Sequence, residues 1–515
     1  MKHVWKAAAA GAMACMLLAG CTAGGSRTVQ TNREYEALWA TDQPVTYSIF
    51  QYNAKPFDDG YAIFHKAAEM TNVSLKGYLA KSVTEVGQAF NLMMASGEIA
   101  DIVCYTSKAE FSKYGASGAF LPLNDLIEQY APNIQKTFEE LPEVRKMATS
   151  LDGNIYFIPY IPDGEVSQVW YMRQDWLDKL GLQRPRTTDE FYQVLKAFRE
   201  QDPNGNGQQD EIPLFAGGGK DSFNTIVPLW GANCWWTFDD NHNVVYGPAQ
   251  PEYKAAYIDL AKWYAEKLID PEIFTRGSTA LSKLLGDNLG GSVHAWAGST
   301  ALYNDTLKDA IPGFDWRVIA PPGEKGSSAR VKATENGWAI SSAAKNPETL
   351  IKYFDFWYSE EGRRLANFGI EGEHYDMVDG QPIFKDSVLH NEKPVVTQMN
   401  EIGAQMRIGC RQDFDYEKQW LSPIALEGID EYVKNGYCIS EAEMPQFLRT
   451  EEEDKEYTAL QGIITSYVEE TTQKWVMGME DPAQGFDAYL AKLKSLNLDR
   501  LVELQQTAYD RFMAQ

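Results

Sequence analysis

Polar and apolar positions alternate along Val45-Thr46-Tyr47-Ser48-Ile49-Phe50-Gln51, and the segment is rich in β-branched and aromatic residues, so it predicts a strand. A loop carrying Lys55, Pro56, Asp58, Asp59 and Gly60 follows, and Tyr61 to Thr71 reads as a helix. Asn72 to Gly77 predicts a second short strand. Val86 to Met94 predicts a helix that stops at Ser96-Gly97, and Ala100 to Tyr105 a third strand. This β-α-β-α-β order predicts an open, mostly parallel sheet with ligand sites at the C-terminal ends of its strands.

The pattern continues in the same style. Phe120 to Ile127 leads into another helix, and Ile155 to Ile161 is an apolar strand interrupted by Pro159. Val169 to Met172 is a further strand running directly into Asp175–Gly181, where Gly181 is a natural helix stop. Thr187-Thr188-Asp189-Glu190 opens the next helix with a capping-box pattern. A second α/β region extends to about Ile319, and Pro321-Pro322-Gly323 is the expected crossing point. Glu335 to Ser342 predicts a strand. Asn346-Pro347 starts a helix with Leu350, Phe354 and Trp357 on one face. The last hundred residues are mainly helical and acidic, and Glu451 to Asp454 reads as a solvated surface or cap.

The N-terminus departs from this folded pattern. Lys2, His3 and Lys6 precede an apolar run from Ala7 to Leu18, too short to span a bilayer as a helix, and this reads as a targeting segment. Leu18-Ala19-Gly20-Cys21 resembles the lipobox of bacterial lipoproteins, in which the cysteine sulfur is acylated and the chain is cut just before it. Two or more acyl chains on Cys21 would anchor the protein stably, since each buried methylene adds about 0.8 kcal/mol. Thr22 to about Gln43 is small and polar and reads as a flexible tether. An ordinary signal peptide that happens to contain a cysteine is the alternative.

Length and composition refine the picture. At 515 residues the chain is longer than one core supports, which predicts two or more domains. With 44% hydrophobic and 23% charged residues it is globular. A formal charge of -25 excludes nucleic-acid binding through a general basic field. Beyond Cys15 and Cys21 only four cysteines remain of six, too few for a disulfide scaffold. Cys410 with Cys438 is a candidate bridge, with buried free thiols as the alternative. The sequence has no His-Glu-x-x-His and no Gly-x-Ser-x-Gly, so no catalytic residue is assigned. Gly217-Gly218-Gly219-Lys220 lacks the spacing of a phosphate loop and reads as a flexible turn facing a cleft.

Three segments carry a wider resemblance: Trp170-Tyr171-Met172-Arg173-Gln174-Asp175-Trp176-Leu177-Asp178-Lys179-Leu180-Gly181, then Gly369-Ile370-Glu371-Gly372-Glu373-His374-Tyr375 continuing to Asp379-Gly380-Gln381-Pro382, and Gln505-Gln506-Thr507-Ala508-Tyr509-Asp510-Arg511-Phe512. On these residues the chain resembles the extracellular solute-binding lipoproteins of bacterial ABC importers, in the large oligosaccharide-binding subgroup related to alginate-oligosaccharide-binding proteins. The resemblance implies an α/β, two-lobed periplasmic-binding-protein-like fold of type II, each lobe a mostly parallel sheet flanked by helices, with a cleft that closes on ligand. The expected division is a leader at 1–20, a tether at 21–43, an N-terminal lobe of 44–160 plus about 322–390, and a C-terminal lobe of 161–321 plus about 391–515. The implied partners are a carbohydrate, the transmembrane permease subunits and, through the lipid, the cell membrane. The expected state is a monomer.

Asp202-Pro203-Asn204-Gly205-Asn206-Gly207-Gln208-Gln209-Asp210-Glu211 is the sharpest local motif. Asp202, Asn204 and Asn206 stand at positions one, three and five of a calcium loop, with Gly207 at the sharp turn, the Gln208 carbonyl at seven and Asp210 at nine. Position twelve is Pro213 rather than glutamate, and Glu211 would supply the closing carboxylate. The resemblance implies this shortened pattern for a structural calcium ion. An Asn-Gly-rich turn without metal is the alternative.

The 14 Trp and 27 Tyr are the second signal, because sugar rings stack their CH faces on aromatic rings. Candidates at presumed cleft edges are Gln51, Tyr52, Trp170, Tyr171, Trp235, Trp236, Trp296 and Trp338, with ordinary packing as the alternative for each. Trp230 and Trp357 read as core. Arg173 and Glu371 would bond sugar hydroxyls or pair with surface charge. Two rival functions stay open at this point: a peptide-binding or sensory lipoprotein, and a secreted polysaccharide-degrading enzyme.

Overall fold

The computed structural model describes residues 33–514 apart from 53–54, 324–326, 329, 407, 440–443 and 446. The targeting segment, Cys21 and the start of the expected tether lie outside the described residues. The end of that tether is not loose. Arg33–Leu38 forms a 3-10 helix, Tyr35 and Leu38 pack on the first core, and the Ala40 amide donates to the Thr71 carbonyl at 3.0 Å.

The strands that organise the fold are β1 (Val45–Gln51), β2 (Val73–Gly77), β3 (Ile102–Tyr105), β4 (Ile158–Pro159), β5 (Gln168–Arg173), β6 (Ile212–Leu214), β7 (Trp236–Phe238), β8 (Val244–Tyr246), β9 (Gly290–Trp296), β10 (Trp316–Ile319), β11 (Ser327–Ser328) and β12 (Gly337–Ile340). Five of them form one sheet in the order β2-β1-β3-β12-β4, and four form a second in the order β10-β5-β9-β6. Pairs β1–β2 and β1–β3 are parallel, as the predicted crossover helices Ala62–Thr71 and Val86–Ser96 require.

Both sheets are mixed, with one strand in each running against the parallel rest. Strand β12 is antiparallel to β3 and β4, and β5 is antiparallel to β9 and β10, whereas β6 and β9 are parallel. The chain passing between the sheets explains this. Strands β5 and β12 enter their sheets from the side where the other strands end, so they run against them.

Each sheet has its own core. The first core draws residues from Ala40 to Ile161 and from Trp338 to Tyr416. One face of the second sheet, through Trp170 and Met172, packs on helices that include Pro251–Ala265, Glu451–Val476 and Leu498–Ala514. Its other face, through Val169 and Tyr171, packs on Pro423–Lys434. The alternation of β5 therefore has no solvent side. Val395, Met399, Ile408 and Tyr416 belong to the first core, so the last crossing falls between Tyr416 and Leu421 and not near residue 390.

The expected crossing at Pro321-Pro322-Gly323 leaves the second sheet after β10. A Cβ on Gly323 would lie 2.4 Å from the Leu229 carbonyl oxygen, so only glycine fits there. Gly181 ends its helix in the left-handed region at φ 67°, as predicted. The Thr187 hydroxyl accepts from the Glu190 amide at 3.2 Å, but the Glu190 carboxylate turns to the Arg186 amide, so that capping box is half made. The complete box belongs to Thr450 and Glu453, inside the acidic run read as surface or cap. Among the described residues no helix is long and apolar enough to cross a membrane. Cys410 is a buried free thiol, so the candidate bridge to Cys438 is not formed.

Candidate functional site

A cavity of about 1790 Å³ opens between the two sheets. This exceeds the roughly 300–1,000 Å³ of a pocket for a drug-sized ligand. Its first wall comes from the C-terminal ends of β1 and β3, with Gln51, Tyr52, Cys104 and Thr106. The second wall comes from the start of β5 and the end of β9, with Gln168, Trp170, His294 and Trp296. Register sets this second wall, because Gln168 pairs with Trp296 and Trp170 with His294. The crossing segments close the back through Val166, Arg330, Gln412 and Glu417.

Three features of the lining have chemical consequences. Gln51 is 5% exposed, and its side-chain oxygen is buried without a hydrogen-bond partner among the described residues. A buried acceptor in that state calls for a donor, which a hydroxyl-bearing ligand supplies. Tyr52 is 36% and Trp296 57% exposed, large values for aromatic side chains lining a cavity. Tyr52 is held edge-on against Tyr105 at 4.8 Å between ring centroids and lies beside Gly87. Burial pushes the His294 imidazole down to about 4, so it is neutral near pH 7.

Gln51, Tyr52, Trp170 and Trp296 thus meet at the cavity. The other sequence candidates do not line it. Trp338 is buried in the first core, stacked on Phe354 at 4.5 Å. Trp236 is buried in the second core and donates to the Tyr457 hydroxyl at 2.8 Å. Tyr171 is buried on the opposite face of β5 from Trp170 and donates to the Ala297 carbonyl at 2.6 Å. Arg173 is buried, forked onto Asp175 at 2.8 and 2.6 Å, bonded to Asn288 at 2.8 Å, and sandwiched by Trp176 and Phe314. Trp235 is 40% exposed but outside the lining, and Glu371 is exposed beside a hairpin of the first lobe. The Gly217–Gly219 turn does not line the cavity either; the 3-10 helix it opens reaches it through Asn224 and Thr225. Gln168, Asn233, Arg330 and Glu417 were missed, because isolated amides and charges carry no spacing signal before the walls are assembled.

The Asp202 loop folds as a tight nest. The Asp202 carboxylate accepts from the Gly205, Asn206 and Gly207 amides at 2.9, 3.1 and 2.9 Å. Asn204 and Asn206 point side-chain amides at Asp210. Glu211 is fully buried, and among the described residues neither carboxylate oxygen meets a donor in good hydrogen-bond geometry, although main-chain N–H groups lie near. Desolvation raises its carboxyl, with Asp202 and Asp210 pushing the same way against main-chain N–H groups of Glu211 and Asn204. Two orphaned oxygens beside two further carboxylates are a donor set that a hard dication would satisfy. Among the described residues no three His, Cys, Asp or Glu side chains gather closely enough to hold a metal alone, so amide and main-chain oxygens of this loop would have to complete the shell.

The arrangement matches known proteins over nearly its whole length. A family model described as bacterial extracellular solute-binding protein matches residues 47–364. The solved structure of the alginate-binding protein AlgQ2, without calcium ion, is similar at 40% identity and TM-score 0.78, covering 92% of this chain and 99% of that one. The fructooligosaccharide ABC transporter substrate-binding protein FusA of Streptococcus pneumoniae serotype 4 is 26% identical over 456 residues, 82% of each chain. The polygalacturonan/rhamnogalacturonan-binding protein YtcQ of Bacillus subtilis is 26% identical over 497 residues, 89% of this chain and 93% of that one. These relatives are binding proteins and not enzymes. With its two α/β lobes and the cavity between them, the chain belongs to the bacterial extracellular solute-binding proteins.

Proposed function

We propose that this chain captures an oligosaccharide in the cavity between its lobes and delivers it to the permease subunits of an ABC importer. The observation that carries the reading is the cavity itself. At about 1790 Å³ it has the volume for several sugar rings, and it sets two exposed aromatic rings, Tyr52 and Trp296, with an acceptor of Gln51 unpaired among the described residues. Sugar rings offer CH faces to the first and hydroxyl donors to the second. The relatives described as binding alginate, fructooligosaccharides and galacturonans support the ligand class.

The lobes in this proposal are residues 44–160 with about 322–416, and 161–321 with about 421–514. Ligand shifts an open–closed equilibrium by touching both walls at once. Cys21 carries the lipid that keeps the protein at the membrane beside its transporter, and the protein acts as a monomer. Asp202, Asn204, Asn206, the Gln208 carbonyl, Asp210 and Glu211 hold calcium, which when bound neutralises the buried carboxylates and stiffens the loop. The AlgQ2 structure, described as being without calcium ion, supports calcium as the metal.

A thermal-shift screen of oligosaccharides and peptides tests the reading. Stabilisation by one or more oligosaccharides is expected. Stabilisation by peptides alone, or release of reducing ends from a polysaccharide, would sink it. Metabolic labelling with palmitate tests the anchor, with loss of label expected in Cys21→Ala.

A further inference from the structure

The charged side chains that line the cavity are, among the described residues, Lys55, Asp58, Glu85, Arg330, Glu401 and Glu417, besides the neutral His294. Most of this charge is already spent. Asp58 is paired with Lys81, and Glu401 with Lys393 at 2.7 Å. Neither of those lysines belongs to the lining, so each cancels an acid without presenting a cation to the ligand. The Arg330 guanidinium is forked onto both oxygens of Glu417 at 2.9 and 3.0 Å and also donates to the Asp163 carbonyl at 2.8 Å. Its two terminal nitrogens are thus engaged by the crossing segments, and only its buried Nε–H has no partner among the described residues. Lys55 and Glu85 form no ion pair among the described residues, and they oppose each other in sign. With these pairs counted the lining carries no net positive charge, within a chain whose formal charge is -25.

A glycan of uronic acids brings a carboxylate on every ring. Each must be desolvated on entry and needs a guanidinium or ammonium in compensation. Here one lysine is available, and the surrounding field repels anions. The rest of the lining is suited to hydroxyls, with the uncharged Gln168, Asn224, Thr225, Asn233, Thr397 and Asn400 around the exposed faces of Tyr52 and Trp296. Resting on the saccharide reading above, we infer that the ligand is an uncharged oligosaccharide and that this cavity discriminates against oligouronates. This sets the chain apart from the AlgQ2 protein described as alginate-binding, despite 40% identity.

Calorimetric titration of the full folded chain tests this with two probe sets: neutral gluco-, manno-, xylo-, galacto- and fructo-oligosaccharides of three to five rings, and alginate and galacturonate oligomers of the same lengths. The expected result is that a neutral oligomer binds at least ~10-fold more tightly than any uronate, a gap of about 1.4 kcal/mol. Its affinity is expected to stay within about twofold between roughly 50 mM and 500 mM salt, because no ion pair to ligand is screened. Tighter binding of a uronate, with affinity falling as salt rises, overturns the inference and leaves the saccharide reading standing. Binding of neither set overturns both.

Discussion

Arg330 bonds to two crossing segments while sitting on the third. Its amide donates to the Glu165 carbonyl at 2.8 Å, and its guanidinium reaches the Asp163 carbonyl at 2.8 Å and the Val166 carbonyl at 3.4 Å. It forks onto Glu417, which the Gln412 amide also meets at 2.8 Å. Arg330→Met keeps the apolar stem and removes the fork. Hydrogen bonds to a charged group contribute ~1.5–3 kcal/mol each. Both partners are 15% exposed, so the Glu417 carboxylate left behind regains some water and the cost falls below that of a fully buried pair. The expected loss is about 3 kcal/mol. At about 2 °C per kcal/mol for a cooperative unit of roughly 250 residues, calorimetry should show a Tm lower by ~6 °C. Glu417→Gln should cost less when added to Arg330→Met than alone, with a coupling of ~1–3 kcal/mol. A Tm within about 1 °C of the parent, or strictly additive losses, would refute the idea that this fork pins the crossings together.

Other outcomes follow from the same geometry. Trp338→Ala should cost ~3–5 kcal/mol in denaturant unfolding, because the ring is fully buried against Phe354. Trp296→Ala should leave stability within ~0.5 kcal/mol yet weaken oligosaccharide binding about tenfold, read by calorimetry. Calcium at about a hundred times its Kd should stabilise the protein by ~2.7 kcal/mol, chelation should reverse this, and Glu211→Gln should abolish most of the response. Arg511 and the Thr450 amide hold the Glu453 carboxyl at about 2, below its ordinary 4.5. Its folded form is thus the stronger acid, so its contribution is present above about pH 4.5 and lost as pH falls toward 2. The stability difference between parent and Glu453→Gln should shrink over that window in acid-unfolding curves.

Local patterning made the first α/β units legible, since β1, β2, β3 and their helices each repeat at their own period over several residues. The C-terminal ends of β1 and β3 line the cavity, which is why Gln51 and Tyr52 were found. The failures share a cause. Trp338, Tyr171 and Arg173 lie in or at the end of central strands covered on both faces, where alternation no longer marks a solvent side. Trp338 is also seated against Gly409, where a Cβ would lie 2.1 Å from the indole nitrogen, a fit between distant segments that no local pattern announces. Strand direction in the mixed sheets was equally hidden, because it depends on where the chain crosses between lobes. The last crossing follows Tyr416 because the 395–416 stretch buries its apolar side chains on the first core, a choice made by tertiary packing.

In the proposed mode of capture an oligosaccharide lies between the lobes, on Gln51 from one side and Trp296 from the other. The most direct test is calorimetric titration of the oligosaccharide selected by screening, on the parent and on the double variant Gln51→Leu with Trp296→Ala. Saturation at one ligand per chain is expected in the parent, with an affinity at least ~100-fold weaker in the double variant, a loss of about 2.7 kcal/mol. Equal affinity in both proteins would contradict this mode of capture.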